Sequence, residues 1–248
     1  MIAEEVIEEV RNDSEVEAYL EAQNVNAVDR LQYNDHGSKH VGIVRERAFE
    51  LMDRLDGHVE WGVTDHSESY GYSETRVVVG LAATLHDIGH VVHRDEHVEY
   101  SVQLAAPVVD RILDNHYDVD KRVALKGEVL HAILCHHVEE TPLTPEAGVV
   151  RVADALDMES GRSRLPYTKG ERSIDTVSSQ AIDSVTVTDG MDAYGAPVLV
   201  EIELLNSAGV YQIDNLLKSK LKGSGIEEYC KIVAVNEGQD DIVGKIEF

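Results

Sequence analysis

The chain has 248 residues, with 47 Asp and Glu against 22 Lys and Arg and a formal net charge of −25. That length can bury a core of useful size, and that charge argues against a duplex nucleic-acid binder, because phosphate contacts need Lys and Arg. No apolar run approaches the roughly 18–20 residues of a membrane span, and the acidic start MIAEEVIEEVRND lacks the pattern of a signal peptide, so a cytoplasmic protein is expected.

Residues 2–10 and 14–22 read as short acidic helices. Residues 36–55 carry Val41, Val44, Ala48, Leu51, Met52 and Leu55 at helical spacing, which puts His36 and His40 on one helix face. Residues 56–73 are rich in Gly, Ser and acids and read as a loop. Ser73 is placed to cap the next helix, which runs to Asp87. Asp95 is placed to cap another that reaches Asn115. Further helices follow over 120–138, stopped before Pro142 and Pro145, and over 146–158.

The texture changes after residue 175. AIDSVTVTD and PVLVEIELL alternate, as half-buried strands do, with GMDAYGA between them. Residues 211–222 read as a helix, and CKIVAV and DIVGKIEF as two more strands. Lys218, Lys220 and Lys222 step by two, do not share a helix face, and read as solvated. The expectation is a mainly helical bundle over 1–170 and a separate small α+β domain of β-β-α-β-β order over 176–248.

The acids are spread along the whole chain and Lys is scarce, nine against thirteen Arg. Dispersed acidity of this kind resembles adaptation to a salty, halophilic interior, where screening removes self-repulsion. Cys135 and Cys230 give neither a disulfide framework nor a CxxC pair.

The twelve His carry more information through their placement. Four fall in a short stretch, His86, His90, His93 and His97. His136 and His137 are adjacent, and His36 and His40 lie one turn apart. Asp87 and Asp154 each interrupt an otherwise apolar helix, which is costly unless something pairs with them. A single His on an apolar face is usually a hydrogen-bonded core residue. A His on one helix, a His-Asp doublet ending a second, a His-His pair ending another and an Asp on a fifth point instead to a divalent metal.

His40, then LHDIGH at 85–90, then Asp154 in VADALD resemble the H…HD…D signature of the HD-domain metal-dependent phosphohydrolase superfamily. The resemblance covers residues 30–170 and implies a helical HD-domain bundle. It implies His40, His86, Asp87 and Asp154 as ligands of a first metal, and His97, His136 and His137 as ligands of a second. It casts Asp87 as the carboxylate that bridges them. His36 and His90 are read as auxiliary ligands or as groups just behind the ligands. His90 stands where the common HDIGK sequence has Lys, and no GYP follows His137, which argues against a cyclic-di-GMP hydrolase.

One or two divalent ions (Mn, Fe, Co, Ni, Zn or Mg) would activate water, and metal-bound hydroxide would attack phosphorus with no protein nucleophile. The substrate is read as a small phosphorylated molecule such as a nucleotide. Arg162, Arg164 and Lys169 form the most basic short stretch and are candidates to hold its phosphate; the alternative is a basic loop pairing with the acidic surface. Two other readings remain open. One is a di-iron HD-domain oxygenase using the same ligands. The other is a regulatory ligand-binding module with an HD output unit, in which the C-terminal strands mediate homodimerisation or sense a ligand.

Overall fold

Val77–Leu85 has no polar face, and a helix apolar on every side can only sit at the centre of a fold. In the computed structural model, which describes residues 2–31, 35–159, 178, 180–236 and 245–247, this run is the axis of the helical part. It belongs to α4 (Tyr72–Leu85). Around it pack α1 (Ile2–Arg11), α3 (Ser38–Leu55), α6 (Val119–Leu134) and α7 (Pro145–Leu156). α2 (Ser14–Asn24) and α5 (His97–Asp114) complete the bundle. α1 shows how the acidic helices fit: Ala3, Val6, Ile7 and Val10 are buried while its glutamates face outward.

Local caps decide the helix ends, and several differ from the sequence expectation. α4 starts after Gly71, whose N–H donates to the Glu74 carboxylate at 3.0 Å, so Ser73 lies inside the helix and is not its cap. α5 is entered through Glu96, a left-handed residue with φ 62°, so Asp95 is not its cap either. α6 is capped by Asp118, which accepts from Lys121 N–H at 3.0 Å, and it ends at Leu134, short of 138. There the His136 ring donates to the Ile133 carbonyl at 2.6 Å and takes a partner that a continuing helix would have used. α7 has Thr144 as its cap and Pro145 in its first turn, where a missing N–H costs nothing.

His36 also differs: it lies outside α3. Its N–H donates to Asn24 Oδ1 at 3.0 Å and its carbonyl accepts from Gln23, which ties it to the end of α2. Gly37 is extended and starts α3 at Ser38.

The C-terminal strands form one four-stranded sheet in the order β1 (Ile182–Gly190), β2 (Ala196–Leu204), β3 (Cys230–Asn236), β4 (Lys245–Glu247). β1 and β2 are antiparallel and turn through Met191–Tyr194, closed by left-handed Gly195 at φ 71°. β2 and β3 are parallel, with Val200 opposite Ile232. Parallel neighbours need a crossover, and α8, the helical run 210–221, lies within it. α8 is π-helical over Ile213–Leu217 and α-helical on either side.

The apolar core is continuous from the bundle into the sheet: Val185, Val200, Ile213, Leu217 and Ile232 join the cluster of α3, α4 and α7. Arg47 of α3 donates to the Val185 carbonyl at 2.5 Å. Gly148 of α7 lets the chain approach so closely that a Cβ there would lie 2.1 Å from the Ser224 carbonyl oxygen. Among the described residues, no helix is long and apolar enough to cross a membrane.

Gly148→Ala is expected to destabilise the protein by about 1–3 kcal/mol, because backbone must move to admit the methyl group. Gly127→Ala, at an exposed α6 position with nothing within 4 Å of its Cβ, is expected to stabilise by about 1 kcal/mol or less. Denaturant melts of the two variants should therefore shift in opposite directions.

Candidate metal centre

His86 caps the C-terminus of α4, and the chain turns at Asp87 into a single turn of 3-10 helix, Ile88–Val91. Asn26, in the π-helical Val25–Arg30 that continues α2, holds this turn by donating to the His90 and Val91 carbonyls, each at 2.8 Å. Gly89 N–H donates to Ser101 Oγ at 2.8 Å. A Cβ at Gly89 would lie 1.9 Å from the His97 carbonyl oxygen, so only glycine lets the turn press against the start of α5.

The result is a buried carboxylate, Asp87, surrounded by imidazoles on both sides. Its Oδ2 faces His36 Nδ1 at 2.7 Å, His40 Nε2 at 3.4 Å and His86 Nε2 at 3.5 Å. Its Oδ1 faces His90 Nε2 at 3.7 Å and His97 and His136 Nε2, each at 3.5 Å. Asp154 of α7 adds a second carboxylate, with Oδ1 3.3 Å from His40 Nε2 and 3.7 Å from His86 Nε2. Three sets of donor atoms, His36–Asp87–His90, His40–His86–Asp87 and Asp87–His97–His136, each lie close enough together to share an ion, and Asp87 is common to all three.

The far nitrogens of these rings set their tautomers. His40 Nδ1 donates to Asp157 Oδ2 at 2.6 Å, and His86 Nδ1 to the Ala83 carbonyl at 3.0 Å. His97 Nδ1 donates to the Arg94 carbonyl at 2.9 Å, and His136 Nδ1 to that of Ile133 at 2.6 Å. A carbonyl oxygen can only accept, so the proton sits on Nδ1 and the neutral ring presents a bare Nε2 to Asp87. His40 and His86 Nε2 are 3.3 Å apart. Two lone pairs facing each other at that distance repel unless a cation lies against both. The donor set therefore fits a divalent metal, and the two sides of Asp87 fit a pair.

Electrostatics keep these groups in the ligating form. Burial pushes the Asp87 carboxyl up, but the imidazoles around it, His86, His90 and His36 foremost, outweigh burial and hold the pKa well below the ordinary value. Burial likewise raises Asp154, and the Lys220 ammonium, with His40 and His86 beside it, brings it well below. Burial lowers His90 to about 3 and His136 to about 4, against the opposing Asp87 charge, so both rings are neutral near pH 7.

His40, His86, Asp87, His97, His136 and Asp154 thus meet at one point, with His36 and His90 against the same carboxylate. His137 does not reach Asp87 among the described residues. Its ring is 40% exposed, pairs with Glu139 and lines the mouth of the cavity. Arg162, Arg164 and Lys169 lie outside the described residues. The sequence reading missed two residues. Asp157 orients His40 from behind. Lys220, expected to be solvated, is instead 5% exposed and ion-paired with Asp154, because α8 folds back over the end of α7. A cavity of about 300 Å³ opens from the site, lined by Asp87, Asp154, the clustered His rings, Arg94 and, from α8, Tyr211, Gln212 and Lys220.

Comparison with known proteins agrees with this geometry. The HD domain family matches residues 39–159. The chain is 37% identical over 243 residues to the uncharacterized protein MJ1020 of Methanocaldococcus jannaschii, a match that covers 97% of this chain and 92% of that one. It is 30% identical over 167 residues to ribonuclease Y of Desulforudis audaxviator, and 32% identical over 164 residues to ribonuclease Y of Petrotoga mobilis. Each of those two matches covers 62% of this chain and only 28% of the ribonuclease. No solved structure matches the chain significantly.

Asp157→Ala should leave the fold intact and weaken metal binding by about 10–100-fold, as loss of a ligand's hydrogen-bond partner does; competition with a chelator measures it. The site also makes the metal-free protein acid-sensitive. His90 and His136 take up protons near their ordinary 6.5 when unfolded but resist down to about 3 and about 4 when folded. The stability they contribute is present above pH 6.5 and lost as pH falls from 6.5 towards 4. Denaturant midpoints of the metal-free protein should fall over that window, and less steeply for His90→Gln.

Proposed function

The chain belongs to the HD-domain superfamily of metal-dependent phosphohydrolases, and from that premise we propose that it hydrolyses a phosphoester bond in a small phosphorylated molecule, with a nucleotide as the expected substrate class. The observation that supports this reading best is the convergence of four bare Nε2 atoms on one ionised, buried carboxylate. His40 and His86, with Asp154 Oδ1, form one half of the donor set, and His97 and His136 the other. Asp87 spans both halves through its two oxygens. Bound there, divalent metal supplies Lewis acidity to a phosphoryl oxygen and acidifies a water to make the nucleophile. Imidazole-rich donors favour transition ions over Mg.

The protein's part is to hold that charge and to admit an anion. Two carboxylates and two cations, Asp87, Asp154, Arg94 and Lys220, line the cavity, so each bound divalent ion leaves it net positive. Next to it, a second cavity shares Arg94, His97 and His137 but is rimmed by Asp95, Glu96, Glu99, Glu139 and Glu140. That acidic rim repels the extended phosphate backbone of an RNA strand, and so favours a small substrate over a polynucleotide of the kind the name ribonuclease Y implies. Oxidative chemistry by a di-iron pair would use the same ligands and would show itself as oxygen consumption.

The protein loaded with Mn, Co or Zn should cleave small model phosphodiesters or phosphomonoesters, with little activity on a long oligoribonucleotide. Asp87→Ala should abolish turnover and metal retention together. Full turnover by metal-free Asp87→Ala, or activity confined to long RNA, would contradict the reading.

A further inference from the structure

We propose that Lys220 is the ammonium that binds the phosphoryl group of the substrate, so that α8 of the C-terminal unit contributes a substrate contact to the metal site. The proposal rests on the phosphohydrolase reading above.

Three lysines lie close together in and just after α8, and they differ in kind. Lys218 makes an exposed helix pair with Asp214 at 2.6 Å, and Lys222 is exposed. Lys220 is 5% exposed and lines the cavity beside Asp87 and Asp154. Its Nζ meets Asp154 Oδ2, the oxygen turned away from the imidazoles, while Oδ1 faces His40 and His86 at 3.3 and 3.7 Å. Asp154 can therefore serve a metal through one oxygen and hold Lys220 through the other. An ammonium has three N–H donors. Among the described residues Lys220 has one hydrogen-bond partner, so two donors remain for a group in the cavity.

Burial of this pair is not explained by stability, because desolvation offsets most of the attraction of a buried ion pair. The placement is explained by chemistry. A phosphoryl group in this cavity would bring negatively charged oxygens, and a desolvated cation already held in place would stabilise them without reorganising. Arg94 lines the same cavity from the segment before α5. The π-helical turn Ile213–Leu217 lies just before Lys220, and such turns often mark functional sites.

The test is calorimetric titration of inorganic phosphate into Mn-loaded wild type, Lys220→Met and Lys220→Arg, with metal content measured on each sample. Wild type should bind phosphate. Lys220→Met should keep its metal and bind phosphate roughly ten- to a hundredfold more weakly, the worth of a hydrogen bond from a charged donor. Lys220→Arg should recover part of the loss. If Lys220 only neutralises Asp154, Lys220→Met will change metal affinity and leave phosphate affinity as in wild type, which overturns the proposal while the phosphohydrolase reading stands. Failure of Mn-loaded wild type to bind phosphate would overturn both. Should Lys220→Met not fold, a crystal structure of the wild type with Mn and phosphate decides: Nζ within hydrogen-bond distance of a phosphate oxygen supports the proposal, and Nζ paired with Asp154 alone refutes it.

Discussion

The fold is organised around one difficult requirement: keeping Asp87 ionised in a dry interior. A lone carboxylate there would protonate or unfold its surroundings. Six imidazoles face it, three on each oxygen, and a cation held between their bare nitrogens and the carboxylate would balance its charge. They come from the lead into α3, α3 itself, the end of α4, the turn after it, the first residue of α5 and the segment after α6. No two of these elements could shift by a residue without losing a contact, so the site constrains the packing as much as the packing builds the site. Gly89 and Asn26 serve this end, one by giving up its side chain and the other by clamping the turn.

The same requirement accounts for the second layer. Imidazoles ligate well only when their other nitrogen is committed, and here each commitment is made by a different element. Asp157 beyond α7 holds His40 and the last turn of α4 holds His86. The segment before α5 holds His97, and the end of α6 holds His136. The C-terminal unit enters through the charge. Asp154 would be a second buried anion, and the cation against it is supplied by α8. A parallel β2–β3 pair needs a crossover, and that crossover carries the helix across to Asp154 at the end of α7.

Much of this was legible in the sequence for a local reason. The order His40, His86-Asp87, Asp154 requires polar residues inside apolar runs, and an alternating texture marks the strands. What escaped was set by distance along the chain. Asp157 meets His40 across 117 positions, and Lys220 meets Asp154 across 66, so neither pairing leaves a periodicity to read. Stepping by two told correctly that Lys218 and Lys220 face different ways, and wrongly that both face solvent. The helix caps at Gly71 and Glu96 were missed because a nearby Ser73 and Asp95 had the better side chains, while backbone geometry chose otherwise.

The central claim is that the imidazoles around Asp87 hold divalent metal. Anomalous diffraction from crystals grown with Mn tests it most directly. A peak is expected against His40 Nε2, His86 Nε2, Asp87 and Asp154 Oδ1, with the other side of Asp87, towards His97 and His136, as the place for a second. A map with no anomalous density at Asp87, and with His40 and His86 Nε2 still facing each other, would contradict it.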